Sequence, residues 1–150
     1  MLKEGDPAPD IQLQTDTSEV FRLSDLKGKR VVLYFYPKAN TPGCTTESCE
    51  FRDQVKEFGR KGTAVVGISP DKPASQAKFK KKYDLPFTLL ADDQKGVAKA
   101  YGVWKQKNLY GIKFMGIERS TFVIGPDGKI EKIYAKVKAK GHAAQVLEAL

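Results

Sequence analysis

The run Val31-Val-Leu-Tyr-Phe-Tyr36 constrains the fold most, because six consecutive apolar residues leave no side for water. A strand with one solvated face alternates, whereas an unbroken apolar strand is covered on both faces. Taken from Arg30, the run predicts a central strand in a layered α/β structure. Pro37 follows it, and Thr41-Pro-Gly-Cys44 then opens an amphipathic pattern. That pattern predicts one helix from Pro42 to Arg60, with Thr41 as N-cap and Pro42 in the first helical position. Cys44, Ser48, Phe51, Val55 and Phe58 share one stripe at helical spacing, which is expected to face the sheet.

The rest of the chain fits the same plan. Ile11 to Leu13 and Val20 to Leu23 predict an N-terminal hairpin, and Ser24 to Gly28 one helical turn. Ala64 to Ser69 and Phe87 to Leu90 read as strands, and Pro73 to Tyr83 and Val97 to Tyr101 as helices. Val103 to Gly116 reads as a polar, glycine-containing loop, with Trp104, Tyr110, Phe114 and Met115 as loop packing. Arg119 to Ile124 and Ile130 to Ala135 flank the turn Gly125-Pro-Asp-Gly128. His142 to Leu150 closes the chain as a helix with His142 facing solvent. The order ββαβαβαββα suits an α/β sandwich with a mixed sheet, in one domain over residues 1–150.

Cys44 falls where the strand ends and the helix begins. The first turn of a helix presents free N–H groups and the positive end of the macrodipole, which favour a thiolate over a thiol. One other cysteine exists, Cys49, five residues on. No stretch approaches the ~18 apolar residues of a membrane span, and the N-terminus has no apolar signal core. A cytoplasmic location and no membrane partner are therefore expected. In that compartment two cysteines serve chemistry rather than a permanent staple. The net charge of +8 comes with lysine runs at Lys78 to Lys82 and Lys136 to Lys140. No aromatic-interleaved basic motif or zinc spacing accompanies them. They read as solvated surface, so neither specific nucleic-acid binding nor a metal or organic cofactor is expected.

Pro37-x-x-x-Thr41-x-x-Cys44 resembles the active-site motif of the peroxiredoxins. Phe35-Tyr-Pro-Lys, Thr41-Pro-Gly-Cys-Thr with Cys49, Tyr110 to Ile124, and Gly5-Asp-Pro-Ala-Pro-Asp10 resemble the bacterioferritin comigratory protein, or peroxiredoxin Q, subfamily. The resemblance implies a thioredoxin-like fold with a central mixed sheet, flanking helices and an N-terminal β-hairpin. It also implies a thiol peroxidase acting on hydrogen peroxide and organic hydroperoxides. Cys44 would be the peroxidatic thiolate, and Arg119 a cation brought beside it. Thr41 would donate to the thiolate or orient the peroxide, Gly43 would leave its N–H accessible, and Pro37 would shield the pocket. Cys49 would resolve the sulfenic acid as an intramolecular disulfide, which needs no partner subunit and favours a monomer. A thioredoxin-like dithiol would reset it.

Two rival readings use the same cysteines, and a third rests on the basic charge. A general dithiol–disulfide oxidoreductase is disfavoured by four intervening residues instead of the two of C-x-x-C. A redox sensor passing its disulfide to a client stays open, as does a basic nucleic-acid-binding module. The cysteine spacing carries one further expectation. Residues five apart on an ideal helix have Cα atoms roughly 8.6 Å apart. A disulfide needs about 4.4–6.8 Å. Joining Cys44 to Cys49 is therefore expected to unwind the start of the helix.

Overall fold

The computed structural model describes residues 2–150. Among the described residues nine strands form two sheets. In chain order they are β1 (Gln12–Thr15), β2 (Val20–Arg22), β3 (Arg30–Phe35), β4 (Thr63–Ser69), β5 (Thr88–Ala91), β6 (Trp104–Leu109), β7 (Ile112–Ile117), β8 (Ser120–Ile124) and β9 (Ile130–Tyr134). The helices are α1 (Pro42–Asp53), α2 (Val55–Arg60), α3 (Pro73–Tyr83), α4 (Gly96–Ala100) and α5 (His142–Glu148). The main sheet runs β2-β1-β5-β4-β3-β8-β9. It is mixed: β3–β4 and β4–β5 are parallel, the other pairs antiparallel.

β3 lies inside the sheet and divides the core in two, as its unbroken apolar run requires. Val31, Leu33 and Phe35 pack on one face with Tyr101 of the α4 C-cap, Phe122 and Ile130. Val32, Tyr34 and Tyr36 pack on the other with Cys44, Phe51, Phe58, Phe79 and Val146 of the helices. α1 also contacts α5, tied by Glu50 Oε1, which accepts the Gly141 N–H at 2.7 Å.

Three expectations are corrected. The long helix from Pro42 to Arg60 is broken at Gln54 (φ −106°, ψ 4°), which ends α1 and caps α2. No proline or glycine signals this break. His142 is buried, with Nε2 2.7 Å from Thr121 Oγ1 and Nδ1 3.1 Å from Gln145 Oε1. Burial lowers its pKa, opposed by the Gln145 bond and reinforced by the Arg119 charge. The stretch read as a loop from Val103 to Gly116 is the separate antiparallel hairpin β6–β7. Its two-residue turn, Tyr110-Gly111, has φ 52° and 80°. Two positive φ values mark the turn that matches strand twist, usually built from Asn-Gly or Asp-Gly. Tyr110 concealed it.

Gly67 stands across from Tyr34 in the β3–β4 register. A Cβ there would lie 2.8 Å from the Tyr34 ring and 2.9 Å from Leu89 Cδ2. Gly67→Ala is expected to cost about 1–3 kcal/mol through overpacking. Urea denaturation checks this; a wild-type midpoint would show that the core has slack here.

Candidate active site

Cys44 is the third residue of α1 and is buried against the sheet. The β3–α1 connection holds it there. Tyr36 N–H donates to the Ile68 carbonyl at 3.0 Å and Ala39 N–H to Asp71 Oδ2 at 2.8 Å. Asp71 is fixed in turn by the Ser69 hydroxyl at 2.6 Å. Asn40 turns the chain with φ 62°. Tyr36 donates to Gln76 Oε1 at 2.6 Å, and Gln76 Nε2 donates to Ser69 Oγ and to the Leu90 carbonyl. The approach to α1 is thus braced by side chains from β4 and α3, a network that sequence pattern does not reveal.

Thr41 occupies the N-cap position with extended backbone, but its side chain makes no cap bond. Its hydroxyl instead donates to the Lys38 carbonyl at 2.7 Å. Its proton is therefore committed to Lys38 and not to the Cys44 sulfur, which corrects the expected donation to the thiolate and leaves the oxygen free to accept. Pro37 is half-buried in the same connection.

Arg119 precedes β8, the antiparallel neighbour of β3. Its Nη2 donates to Cys44 Sγ at 3.3 Å and its Nη1 to Glu47 Oε1 at 2.6 Å. The structure therefore brings Cys44, Arg119 and Glu47 together. Gly43 eases this approach: a Cβ there would sit 3.1 Å from Arg119 Nη2, so the guanidinium would have to give by a few tenths of an ångström.

Glu47 was missed by the sequence reading. It is fully buried, and its Oε2 has no hydrogen-bond partner among the described residues. The signal was available, since a residue three after Cys44 shares its helix face. Burial pushes the Glu47 carboxyl up to about 7, against the lowering pull of Arg119. Burial also works against the Arg119 charge, but Glu47 and Cys44 outweigh it, so that pKa stands above its ordinary value.

Cys49 is half-buried on the same helix, and both cysteines are free thiols. Cys44 lies on the core stripe with Ser48, whose hydroxyl is 2.9 Å from Tyr34 Oη, and Phe51. Trp104 packs against the core, but Tyr110, Phe114 and Met115 are exposed, so these three are not loop packing. Among the described residues no cluster of three or more His, Cys, Asp or Glu could hold a metal ion.

Residues 4–133 match the AhpC/TSA family. The peroxiredoxin Bcp of Bacillus subtilis is 50% identical over 149 residues, covering 99% of this chain and 95% of that protein. A cysteine-to-serine variant of PrxQ from Xylella fastidiosa superposes with a TM-score of 0.94 at 37% identity, over 99% of this chain and 95% of that one. The bacterioferritin comigratory protein of Xanthomonas campestris, described for its alkyl peroxide reduction activity, gives a TM-score of 0.88 at 38% identity, over 93% and 88%. With the thioredoxin-like architecture and the site at the β3–α1 junction, these likenesses establish that the chain belongs to the AhpC/TSA family, in its Bcp/peroxiredoxin Q branch.

Proposed function

We propose that the chain is a thiol peroxidase that reduces hydrogen peroxide and organic hydroperoxides at Cys44. The observation that carries this is the Arg119 guanidinium 3.3 Å from Cys44 Sγ, at the first turn of α1. Cation and helix N-terminus both favour a thiolate there. The Xanthomonas relative's alkyl peroxide reduction supports the organic substrates.

The Cys44 thiolate attacks one peroxide oxygen, forming an S–O bond as the O–O bond breaks. The other oxygen leaves as hydroxide or alkoxide and takes a proton to become water or alcohol. Arg119 faces the charge developing on that oxygen. The Thr41 hydroxyl, donating to the Lys38 carbonyl, accepts a hydrogen bond from the O–H of the incoming peroxide and so orients it. The Gly43 N–H is open to the substrate, and Pro37 closes one wall. Cys49 then attacks the sulfenic sulfur, forming the disulfide and releasing water. A thioredoxin-like dithiol reduces the disulfide and is itself oxidised. The single domain acts as a monomer in the cytoplasm, without a cofactor or specific nucleic acid.

Peroxide consumption with a thioredoxin system tests this directly. Cys44→Ser should abolish turnover, because a hydroxyl of high pKa cannot replace the thiolate. Wild-type turnover in that variant would refute the mechanism. Cys49→Ser should react once and stall as a sulfenic acid that a dimedone-type reagent traps. Absence of that adduct would remove Cys49 from the resolving step.

Both cysteines lie within the continuous helix α1. Their disulfide needs Cα atoms closer than about 7 Å, which an intact helix does not supply at this spacing. Unwinding α1 would also disturb the Glu47–Arg119 pair and the Glu50 contact to Gly141 that orders the start of α5. Amide exchange in residues 42–52 should be much faster in the oxidised protein, with the first amides of α5 accelerated too. An oxidised structure with a regular α1 would contradict this.

The buried carboxyl sets a pH dependence. A folded-state pKa of about 7 exceeds the ordinary 4.5 of Glu47. Its contribution to stability is complete below the ordinary value and is lost as pH rises through the folded one. Wild type should therefore lose stability relative to Glu47→Gln between about pH 4.5 and 7. Urea midpoints of both reduced proteins at several pH values check this; parallel pH profiles would exclude a titrating Glu47.

A further inference from the structure

The β6–β7 hairpin pairs with no strand of the main sheet. Its tip leaves large apolar side chains in solvent: Tyr110 is 95% exposed, Ile112 70% and Leu109 57%. Phe114 and Met115 behind them are exposed as well. Among the described residues Val20 is the one other large hydrophobic so exposed, so the apolar exposure is concentrated here. Turn geometry does not account for the tip. Tyr110 sits at φ 52°, where a bulky residue is an outlier and Asn, Asp or Gly is favoured.

The charges around this tip are cationic. Lys105 is paired with Glu118 at 2.9 Å. Lys107 and Lys113 have no carboxylate within ion-pair reach among the described residues, and the chain carries +8 overall. Lys107, Leu109, Ile112 and Phe114 share one face of the hairpin, as their register requires: Lys107 is opposite Phe114 and Leu109 opposite Ile112.

A tip three side chains wide is too small for a stable protein interface, which covers about 800 Å² on each partner. It has the form of a peripheral membrane anchor. Apolar groups enter the interfacial layer, where tyrosine is favoured, and lysines meet anionic headgroups. The strand ladder continues to the Leu109–Ile112 pair, so most peptide groups near the tip are already hydrogen-bonded.

We propose that the β6–β7 hairpin docks the protein on anionic lipid bilayers, with Leu109, Tyr110 and Ile112 entering the interfacial layer and Lys107 and Lys113 holding the headgroups. The expectation of no membrane partner rested on the lack of a spanning segment, which peripheral docking does not need. β7 ends at Ile117, two residues before Arg119, whose guanidinium holds Cys44 Sγ at 3.3 Å. A docked hairpin is thus joined directly to the Cys44 site. Docking does not depend on the peroxidase reading.

The test is co-sedimentation of the reduced full chain with phosphatidylglycerol vesicles and with phosphatidylcholine vesicles. Hydrogen peroxide consumption is followed separately without vesicles. Wild type should bind the anionic vesicles at low salt and the neutral ones far less. Replacing Leu109, Tyr110 and Ile112 together by serine should weaken binding roughly tenfold. Lys113→Ser should weaken it about fivefold. Both variants should keep the wild-type circular dichroism and consume hydrogen peroxide at the wild-type rate. The proposal is overturned if wild type does not bind phosphatidylglycerol at low salt, or if the tip variant binds as wild type does, which assigns binding to net charge alone. It is also overturned if wild type dimerises at the assay concentration and the tip variant does not, since a second copy then covers the tip. Lost docking with intact turnover, or the reverse, separates this proposal from the peroxidase reading.

Discussion

The contact on which the site depends is the Arg119 guanidinium placed between the Glu47 carboxyl and the Cys44 sulfur. It spans a long sequence separation and exists because β8 pairs with β3, bringing Arg119 to the strand end from which α1 departs. Each neighbour is shaped to it. Gly43 withholds a Cβ that would crowd Nη2, and Glu47 shares a helix face with Cys44. A buried carboxyl costs stability unless it is paired or neutral. Glu47 meets that demand with one oxygen on Arg119, while the other stays unpartnered. Arg119 is thereby held in one orientation, with its second nitrogen aimed at the sulfur.

Much of the fold was legible because side-chain periodicity and chain punctuation agreed. The apolar run at Val31 to Tyr36 announced a strand covered on both faces, and β3 has those two covers. α3 begins at Pro73 and ends at Tyr83, where Asp84 adopts a left-handed conformation. The misreadings have local causes. Tyr110 replaced the expected turn residue and concealed a hairpin. His142 is buried through a partner on β8, Thr121, that no local pattern announces. The helix break at Gln54 carries no proline or glycine.

The site divides in the same way. Cys44 at the start of α1 could be read from strand, proline and helix pattern alone. Arg119 beside it followed from resemblance to a family, because nothing local joins residues so far apart. Glu47 was passed over because a charged residue on a helix is ordinarily assigned to the solvent face. The Asp71, Ser69 and Gln76 brace was likewise out of reach, since it joins elements that meet only in the folded sheet.

The helix that presents Cys44 to Arg119 also holds Cys49 away from it. In the proposed mechanism, reactivity and resolution therefore belong to two conformations of one segment, and the Arg119 contact belongs to the first. The most direct measurement is the single-turnover rate of sulfenic acid formation in wild type, Arg119→Lys and Arg119→Met. The account predicts that methionine slows the peroxide step. Lysine, which keeps the charge but not the planar fork, should fall between. An unchanged rate in Arg119→Met would contradict it.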